Sequence, residues 1–533
     1  MTANLPPWQE FSLKQQIGQM IVARTSGHLF DGQREYPQWE APNDKLQYWL
    51  QELNLGGVIL LGGSAVEVNW RSRQLQDYAK VPLFIAADIE EGVGQRFAGA
   101  TWFPPPMALS AIASRQDAVA LATKMGAITA QEATAIGINW LLAPVVDVNN
   151  NPHNPVINVR AFGDNPATVG ELAAAFIKGA QSYPILTTAK HFPGHGDTAT
   201  DSHLELPTLA HSSQRLQQIE LPPFEEAIAI GVDSVMSAHL LVPAWDENYP
   251  ATLSSAILTQ QLRDRLGFSG LIVTDALIMG GITQNRDPAE ICVQAVQAGA
   301  DILLMPPDAE QAVNAIYRAV QQGIIERDRI AASVQRIWQY KAKIATTPPR
   351  DPATLLTQIA TPTAQNTVTE ITQASLQTHG KLPLKPVGDR AKLNLIVVDN
   401  LLNCDFLSNS APAVAIPRQF SYKTQLIEQQ ALASLNPNQI GILQVFSRGN
   451  PFRGNTQLAP EIQEWFKNLL RFASLEALAI YGSPYILHWF RPYLPPDLPW
   501  GFTYGQMPSA QTLMSQSLFV VLPQTHHQNQ VFT

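Results

Sequence analysis

Gly270-Leu-Ile-Val-Thr-Asp275-Ala-Leu277 is an apolar run closed by a carboxylate. Phe84-Ile-Ala-Ala-Asp88 repeats the pattern. A short run of aliphatic and β-branched residues reads as a strand buried on both faces. Working outward, the first two thirds of the chain offer eight such candidates: Gln19–Ala23, Gly57–Leu61, Leu83–Asp88, Trp140–Val146, Ile185–Lys190, Ser234–Ala238, Leu271–Asp275 and Ile302–Met305. Segments with apolar residues at helical spacing lie between them, among them Asp117–Ile136, Ala167–Gly179, Ser213–Ile230 and Pro288–Ala298. Eight strands alternating with helices predict an α/β chain whose N-terminal part is a (β/α)8 TIM-type barrel. An open doubly wound sheet is the alternative, but no Gly-x-Gly-x-x-Gly follows the first strand.

Polar residues fall where a barrel would use them. Asp88, Asp147, Lys190, His239 and Asp275 each sit at or just after the C-terminal end of a proposed strand. That is the face on which barrels assemble their sites. Beyond the helix-like segment Asp328–Ile344, the run Ala345-Thr-Thr-Pro-Pro-Arg-Asp-Pro352 breaks helical structure. The expected division is a barrel over 1–345, a linker and connecting helix over 346–389, and a smaller α/β domain over 390–533. Strand candidates in the last part are Leu393–Val398, Gly441–Val445, Ala477–Tyr481 and Leu518–Leu522, and Thr525 to Thr533 reads as a frayed end.

The chain has 533 residues and a hydrophobic fraction of 45%, enough for sizeable cores. Its net charge of −9 comes without a long run of either sign. Nucleic acid and anionic membrane are thereby disfavoured as main partners. Two cysteines, Cys292 and Cys404, exclude a disulfide scaffold. No apolar stretch approaches the roughly 20 residues of a membrane span. Met1 to Lys14 lack a basic start followed by an apolar run. The default expectation is a soluble cytoplasmic protein.

The densest chemistry lies in Lys190-His-Phe-Pro-Gly-His-Gly-Asp-Thr-Ala-Thr-Asp201-Ser-His203, where three histidines, two aspartates and a lysine share fourteen residues. Asp201 and His203, two apart on an extended segment, can point to the same side. A carboxylate orients an imidazole and supports its charged form, which makes a general acid. Two other readings stand beside this one. The loop could be a surface connection, or His191, His195 and His203 with Asp197 or Asp201 could bind a metal. Asp275 at its strand end could act as a nucleophile or cap a following helix. Asp88, with Glu90, Glu91 and Arg96 behind it, suits sugar hydroxyls, which need both donors and acceptors. Arg160 could bind a ligand or pair with Asp147 or Asp164. His239 could bind a ligand or be a satisfied barrel-top histidine.

Taken together, the segments Asp88-Ile-Glu-Glu-Gly-Val-Gly-Gln-Arg96, Leu142-Ala-Pro-Val-Val-Asp147, Arg160-Ala-Phe-Gly-Asp164, Lys190 to Asp197, Asp201-Ser-His203, Met236-Ser-Ala-His239 and Val273-Thr-Asp275-Ala-Leu277 resemble the family 3 glycoside hydrolases. The branch resembled is that of the β-N-acetylglucosaminidases active on cell-wall fragments, and the resemblance covers about residues 10 to 345. It implies a retaining, exo-acting hydrolase with Asp275 as nucleophile and His203, partnered by Asp201, as general acid/base. Asp88, Arg96, Arg160, Lys190 and His191 would bind the N-acetylglucosamine unit. The usual Asp-Gln-Glu-Gly-Gly-Arg becomes Asp88-Ile-Glu-Glu-Gly-Val93 here, which keeps Asp88 and Arg96 in register but changes the loop near Glu91. The implied partner is a small carbohydrate substrate, with no cofactor and no metal. The rival readings are a β-glucosidase of the same family, a metal-dependent barrel hydrolase and a non-catalytic sugar-binding barrel. The second usually carries His-x-His after the first strand, where Met20-Ile-Val-Ala-Arg24 offers none. Because the acid would be an imidazole, phosphorolysis stays open beside hydrolysis.

Overall fold

The computed structural model describes residues 5–284, 286–344, 351–384, 392–434, 439–449, 458–472 and 475–519. Eight short strands build the first unit: β1 (Ile21–Ser26), β2 (Gly57–Leu61), β3 (Phe84–Ala87), β4 (Trp140–Leu141), β5 (Thr188–Phe192), β6 (Ser234–Ser237), β7 (Leu271–Thr274) and β8 (Leu303–Leu304). Their ladders run β4-β3-β2-β1-β8 and β5-β6-β7, with parallel pairing throughout. Parallel bridges Trp140–Leu186 and Val273–Ile302 join the two sets. The eight strands thus close in sequence order as the predicted (β/α)8 barrel.

Local chemistry explains most element boundaries. Asn165 caps the helix Pro166–Ala180 by accepting from the amides of Ala167 and Thr168, and Asp287 caps Pro288–Ala298 in the same way. Each cap satisfies amides that have no partner inside the helix. Ser213–Ile230, expected as one helix, is two: Ser213–Gln218 and Pro222–Ala229. Pro222 and Pro223 cannot donate, so the first helix stops and Pro222 starts the second. β4, expected to reach Val146, ends at Leu141, because Pro144 interrupts the ladder and Val145 makes only an isolated bridge to Lys190.

The helix Arg327–Ile344 closes the N-terminal end of the barrel. Lys341, fully buried, donates to the carbonyls of Gly56 (2.8 Å) and Pro82 (2.6 Å), just ahead of β2 and β3. Burial pulls its ammonium well below 10.5, and the Phe84 ring lies 5.0 Å from the same group. The floor is therefore packed, and the opposite rim is left to the loops.

A second unit is formed by Ser375–Arg448 and Leu458–Thr533, while Met1–Ala374 and Gly449–Gln457 belong to the first. Its sheet has β9 (Gln377–His379), β10 (Leu393–Val398), β11 (Lys423–Glu428), β12 (Ile440–Ser447), β13 (Ala477–Gly482) and β14 (Trp500–Thr503). The order is β11-β10-β12-β13-β14-β9, parallel except for β9. Phe446 and Tyr481 stack inside it at 4.1 Å between centroids. Of the expected strand Leu518–Leu522, the described residues are Leu518, which ends the helix Pro508–Leu518, and Phe519, which makes one bridge to Leu384. Residues 520–522, the break at 345–350 and the end at 525–533 lie outside the described residues. No helix among the described residues is long and apolar enough to cross a membrane.

Candidate active site

One wall of the barrel rim is a charge cluster drawn from three strands. Lys190, on β5 and 1% exposed, donates to Asp88 at 2.7 Å and to Glu90 at 2.6 Å. Arg160, from the loop after β4, grips Glu90 through two bonds of 2.8 Å. Its partner is thus Glu90, not Asp147 or Asp164. Burial works against the Glu90 charge, but Arg160 and Lys190 outweigh it and hold the carboxyl well below 4.5. Burial likewise opposes the Lys190 charge, and Asp88 and Glu90 overcome it to raise the ammonium. The cluster balances two carboxylates against two cations. Asp88 is its outward member, with 30% of its side chain exposed. Arg96 is exposed and meets Asp88 only through that residue's backbone carbonyl, at 3.0 Å. The altered loop is folded locally: Gln95 Oε1 accepts from the amides of Glu90 and Glu91, and Trp102 donates to Glu91. Gly92, at φ +84°, lies where a Cβ would come within 2.6 Å of the Thr101 carbonyl.

Lys190 and His191 are neighbours on a strand, yet both serve this rim. β5 loses register with β6 between Lys190 and Phe192, so the strand's strict alternation is broken at His191. His191 then turns to Asp147, with Nδ1 at 2.7 Å and its amide at 3.1 Å from the carboxylate. The same Asp147 accepts the His195 amide at 2.7 Å, which pins the start of the loop.

Asp275 follows β7 and accepts the amide of Ala276 at 2.7 Å. It caps no helix, since the next one begins at Gly280. Burial would raise its carboxyl, but His191, His239 and His203 outweigh that and hold it at about 2. His239 is a satisfied histidine. Fully buried, it meets Thr252 Oγ1 at 2.8 Å and the Ala276 carbonyl at 3.0 Å. Burial lowers its pKa despite Asp275, and its bond to the Ala276 carbonyl steadies the residue beside the carboxylate.

His203 Nδ1 lies 2.9 Å from Asp201 Oδ1, which also accepts the His203 amide at 2.9 Å. The pair forms in a turn rather than on an extended segment, because Leu204 and Glu205 donate to the Asp201 carbonyl. With Nδ1 engaged, Nε2 is the atom that would exchange a proton with a leaving group. This turn is docked on the loop after β7: Gly280 donates to His203 O at 3.0 Å, Gly281 to Ser202 O at 3.1 Å and Gln284 to Leu204 O at 2.7 Å. The carboxylate and the imidazole are therefore brought to one corner of the rim. His195, the next candidate for the acid, is buried between Thr198 (2.8 Å) and Ser202 (3.0 Å). Burial lowers it to about 4, which leaves it neutral near pH 7.

The imidazoles offered to a metal do not converge. Among the described residues, the group with ligand atoms within 4.8 Å of one another is Asp197, His211 and Glu220. Arg215 already lies among them, donating to Glu220 at 2.8 Å and to Asp197 at 3.2 Å. A guanidinium there supplies the positive charge a metal would bring. Sequence reasoning missed Glu90 as the centre of the charge cluster, and also the docking role of Gly280 and Gly281.

Comparison with known proteins decides the family. Residues 12–340 match the glycosyl hydrolase family 3 N-terminal domain, and 387–520 match the bacterial glycosyl hydrolase family 3 C-terminal domain. The chain belongs to glycosyl hydrolase family 3. Among relatives, a β-hexosaminidase A of Pseudoalteromonas piscicida is 34% identical over 363 residues, covering 63% of this chain and 59% of the relative. A β-N-acetylglucosaminidase/β-glucosidase of Cellulomonas fimi is 32% identical over 309 residues, covering 56% and 54%. The chain thus spans less than two thirds of the length of either. A solved family 3 β-N-acetylglucosaminidase from Paenibacillus sp. str. FPU-7 superposes with a TM-score of 0.78 at 30% identity, covering 96% of this chain and 98% of that one.

Proposed function

We propose that this family 3 hydrolase is a retaining, exo-acting β-N-acetylglucosaminidase that releases terminal N-acetylglucosamine, with cell-wall fragments as its natural substrates. The observation that carries the mechanism is the docking of the Asp201–His203 turn onto the loop that holds Asp275. A glycosidic bond breaks when the leaving oxygen is protonated while a carboxylate attacks the anomeric carbon. Asp275, held anionic by the surrounding imidazoles, attacks. His203, oriented through Nδ1 by Asp201, protonates the leaving oxygen from Nε2. In the second step the same nitrogen takes a proton from water, and the hydroxide so formed releases the sugar from Asp275. The Asp88–Lys190–Glu90–Arg160 cluster holds the sugar hydroxyls; Glu90 keeps both cations in place, and Asp88 presents an acceptor.

The sugar preference is supported by the relatives' names, one of which couples N-acetylglucosaminidase with glucosidase. The test is a panel of nitrophenyl β-glycosides with product stereochemistry recorded, with and without inorganic phosphate. The N-acetylglucosaminide should be cleaved fastest, with retention and free sugar as product. Preferred cleavage of the glucoside would move the assignment to a β-glucosidase. A sugar 1-phosphate would make the reaction phosphorolysis, and an inverted product would remove Asp275 as nucleophile.

A further inference from the structure

The loop after β1 carries a second piece of binding chemistry that the mechanism does not use. Tyr36 and Trp39 lie nearly parallel, 21° apart with centroids at 5.7 Å, yet remain 41% and 37% exposed. Beneath them sits the Arg24 guanidinium, 4.5 Å from one ring and 5.5 Å from the other. Arg24 in turn pairs with Glu40, itself 2% exposed, at 3.3 Å. The turn between the rings is closed by Trp39 and Glu40 amides donating to the Tyr36 carbonyl, and by the Tyr36 amide on Glu40.

Strand alternation says where this assembly lies. Thr25 turns outward, since its hydroxyl meets Arg71 of the surrounding helix. Its neighbour Arg24 therefore points inward, toward the mouth of the barrel. Glu35, from the same loop, reaches Gly62 at the end of β2. β1 is two strands from β3, which leads to Asp88, and two from β7, which leads to Asp275. At a spacing of about 4.8 Å per strand, β1 itself lies ~10 Å along the wall from β3 and from β7, a span that a short oligosaccharide covers. Burying an ion pair to order exposed rings is costly, and it is the cost of a preorganised binding face.

We propose that Tyr36 and Trp39 form a stacking platform for a pyranose on the leaving-group side of the scissile bond. Aromatic faces suit the apolar C–H face of a sugar ring, which polar side chains cannot cover. The platform would favour β-linked oligosaccharides over substrates with a small leaving group. It rests on the exo-glycosidase reading given above. The test compares N-acetylglucosaminyl fluoride with the β-1,4-linked trisaccharide of N-acetylglucosamine, using wild type, Trp39→Ala, Tyr36→Ala and Trp39→Leu. Trp39→Leu keeps apolar bulk without a flat face and guards against misfolding of the alanine variants. The ratio of KM for the trisaccharide to KM for the fluoride should rise about tenfold in all three, and Trp39→Phe should restore most of it. An unchanged ratio, or equal loss on both substrates, would overturn the platform alone. A wild-type protein that cleaves neither would overturn the glycosidase reading and the platform with it.

Discussion

Gly281→Ala tests whether the docked turn, rather than the catalytic residues alone, sets the rate. A Cβ at Gly281 would stand 2.5 Å from the Ser202 carbonyl oxygen and 2.9 Å from that of Glu205. Both neighbours are backbone, so no flexible side chain can swing away, and the turn must retreat by roughly 0.5–1 Å to reach ordinary contact. That retreat strains the bonds from Gly281 to Ser202 and from Gly280 to His203. Each is worth about 0.5–1.5 kcal/mol net. Losing both costs about 1–3 kcal/mol, or roughly 5- to 150-fold in the docked population. An undocked His203 cannot protonate a poor leaving group, whereas an activated one departs without help. The assay is kcat/KM on a β-1,4-linked disaccharide and on the nitrophenyl glycoside. The disaccharide should suffer the full loss, with the nitrophenyl substrate falling less than about threefold. Equal losses on the two substrates would place the damage in the pocket instead of at the acid, and would rule out docking as the rate-setting contact.

Three other expectations follow from single groups. Glu90→Gln leaves the buried Arg160 and Lys190 facing one carboxylate instead of two. It should cost about 3–5 kcal/mol in denaturant unfolding and weaken product inhibition by N-acetylglucosamine at least about tenfold; unchanged inhibition would separate the cluster from the sugar. His203→Ala should damage disaccharide cleavage far more than nitrophenyl glycoside cleavage, with Asp201→Asn milder in the same direction, and equal damage on both would show that the pair only shapes the pocket. Asp275 has a carboxyl held at about 2 against an ordinary 3.8. A depressed carboxyl stabilises the fold above its unfolded value and loses that contribution as pH falls through the folded one. Wild type should therefore lose stability more steeply than Asp275→Asn between about pH 4 and 2, as measured by urea unfolding at stepped pH, and parallel curves would contradict the lowered carboxyl.

The barrel was legible because burial on both faces writes continuous apolar runs, and Gly57–Leu61 was read to the residue. Errors came where a single residue type overruled periodicity, as with Pro144 after β4 and Pro222–Pro223 inside the expected helix. In the second unit, β11 was missed because Lys-Thr-Gln-Leu-Ile-Glu is polar and mostly uncovered, as the edge strand of its sheet is free to be. β9, the other edge, hid for the same reason. The site divides similarly. Residues at strand ends could be named from the strands themselves, and Asp201–His203 from their spacing. Glu90 could be named there only as a neighbour of Asp88, and its place at the centre of the cluster could not, since its partners lie 70 and 100 positions away in the chain and meet it only after the barrel closes. Nor could Gly280 and Gly281, whose lack of a side chain matters only against the backbone of another loop.

In the proposed mechanism Asp275 carries the sugar during turnover, and covalent trapping probes that bond itself. A fluorinated N-acetylglucosaminyl fluoride, which slows release of the intermediate, is incubated with the full chain, and the digested peptides are mapped by mass. One added sugar is expected on the peptide that holds Asp275, and none in Asp275→Ala. A sugar on Asp201 or any other carboxylate, or steady turnover by Asp275→Ala, would contradict it.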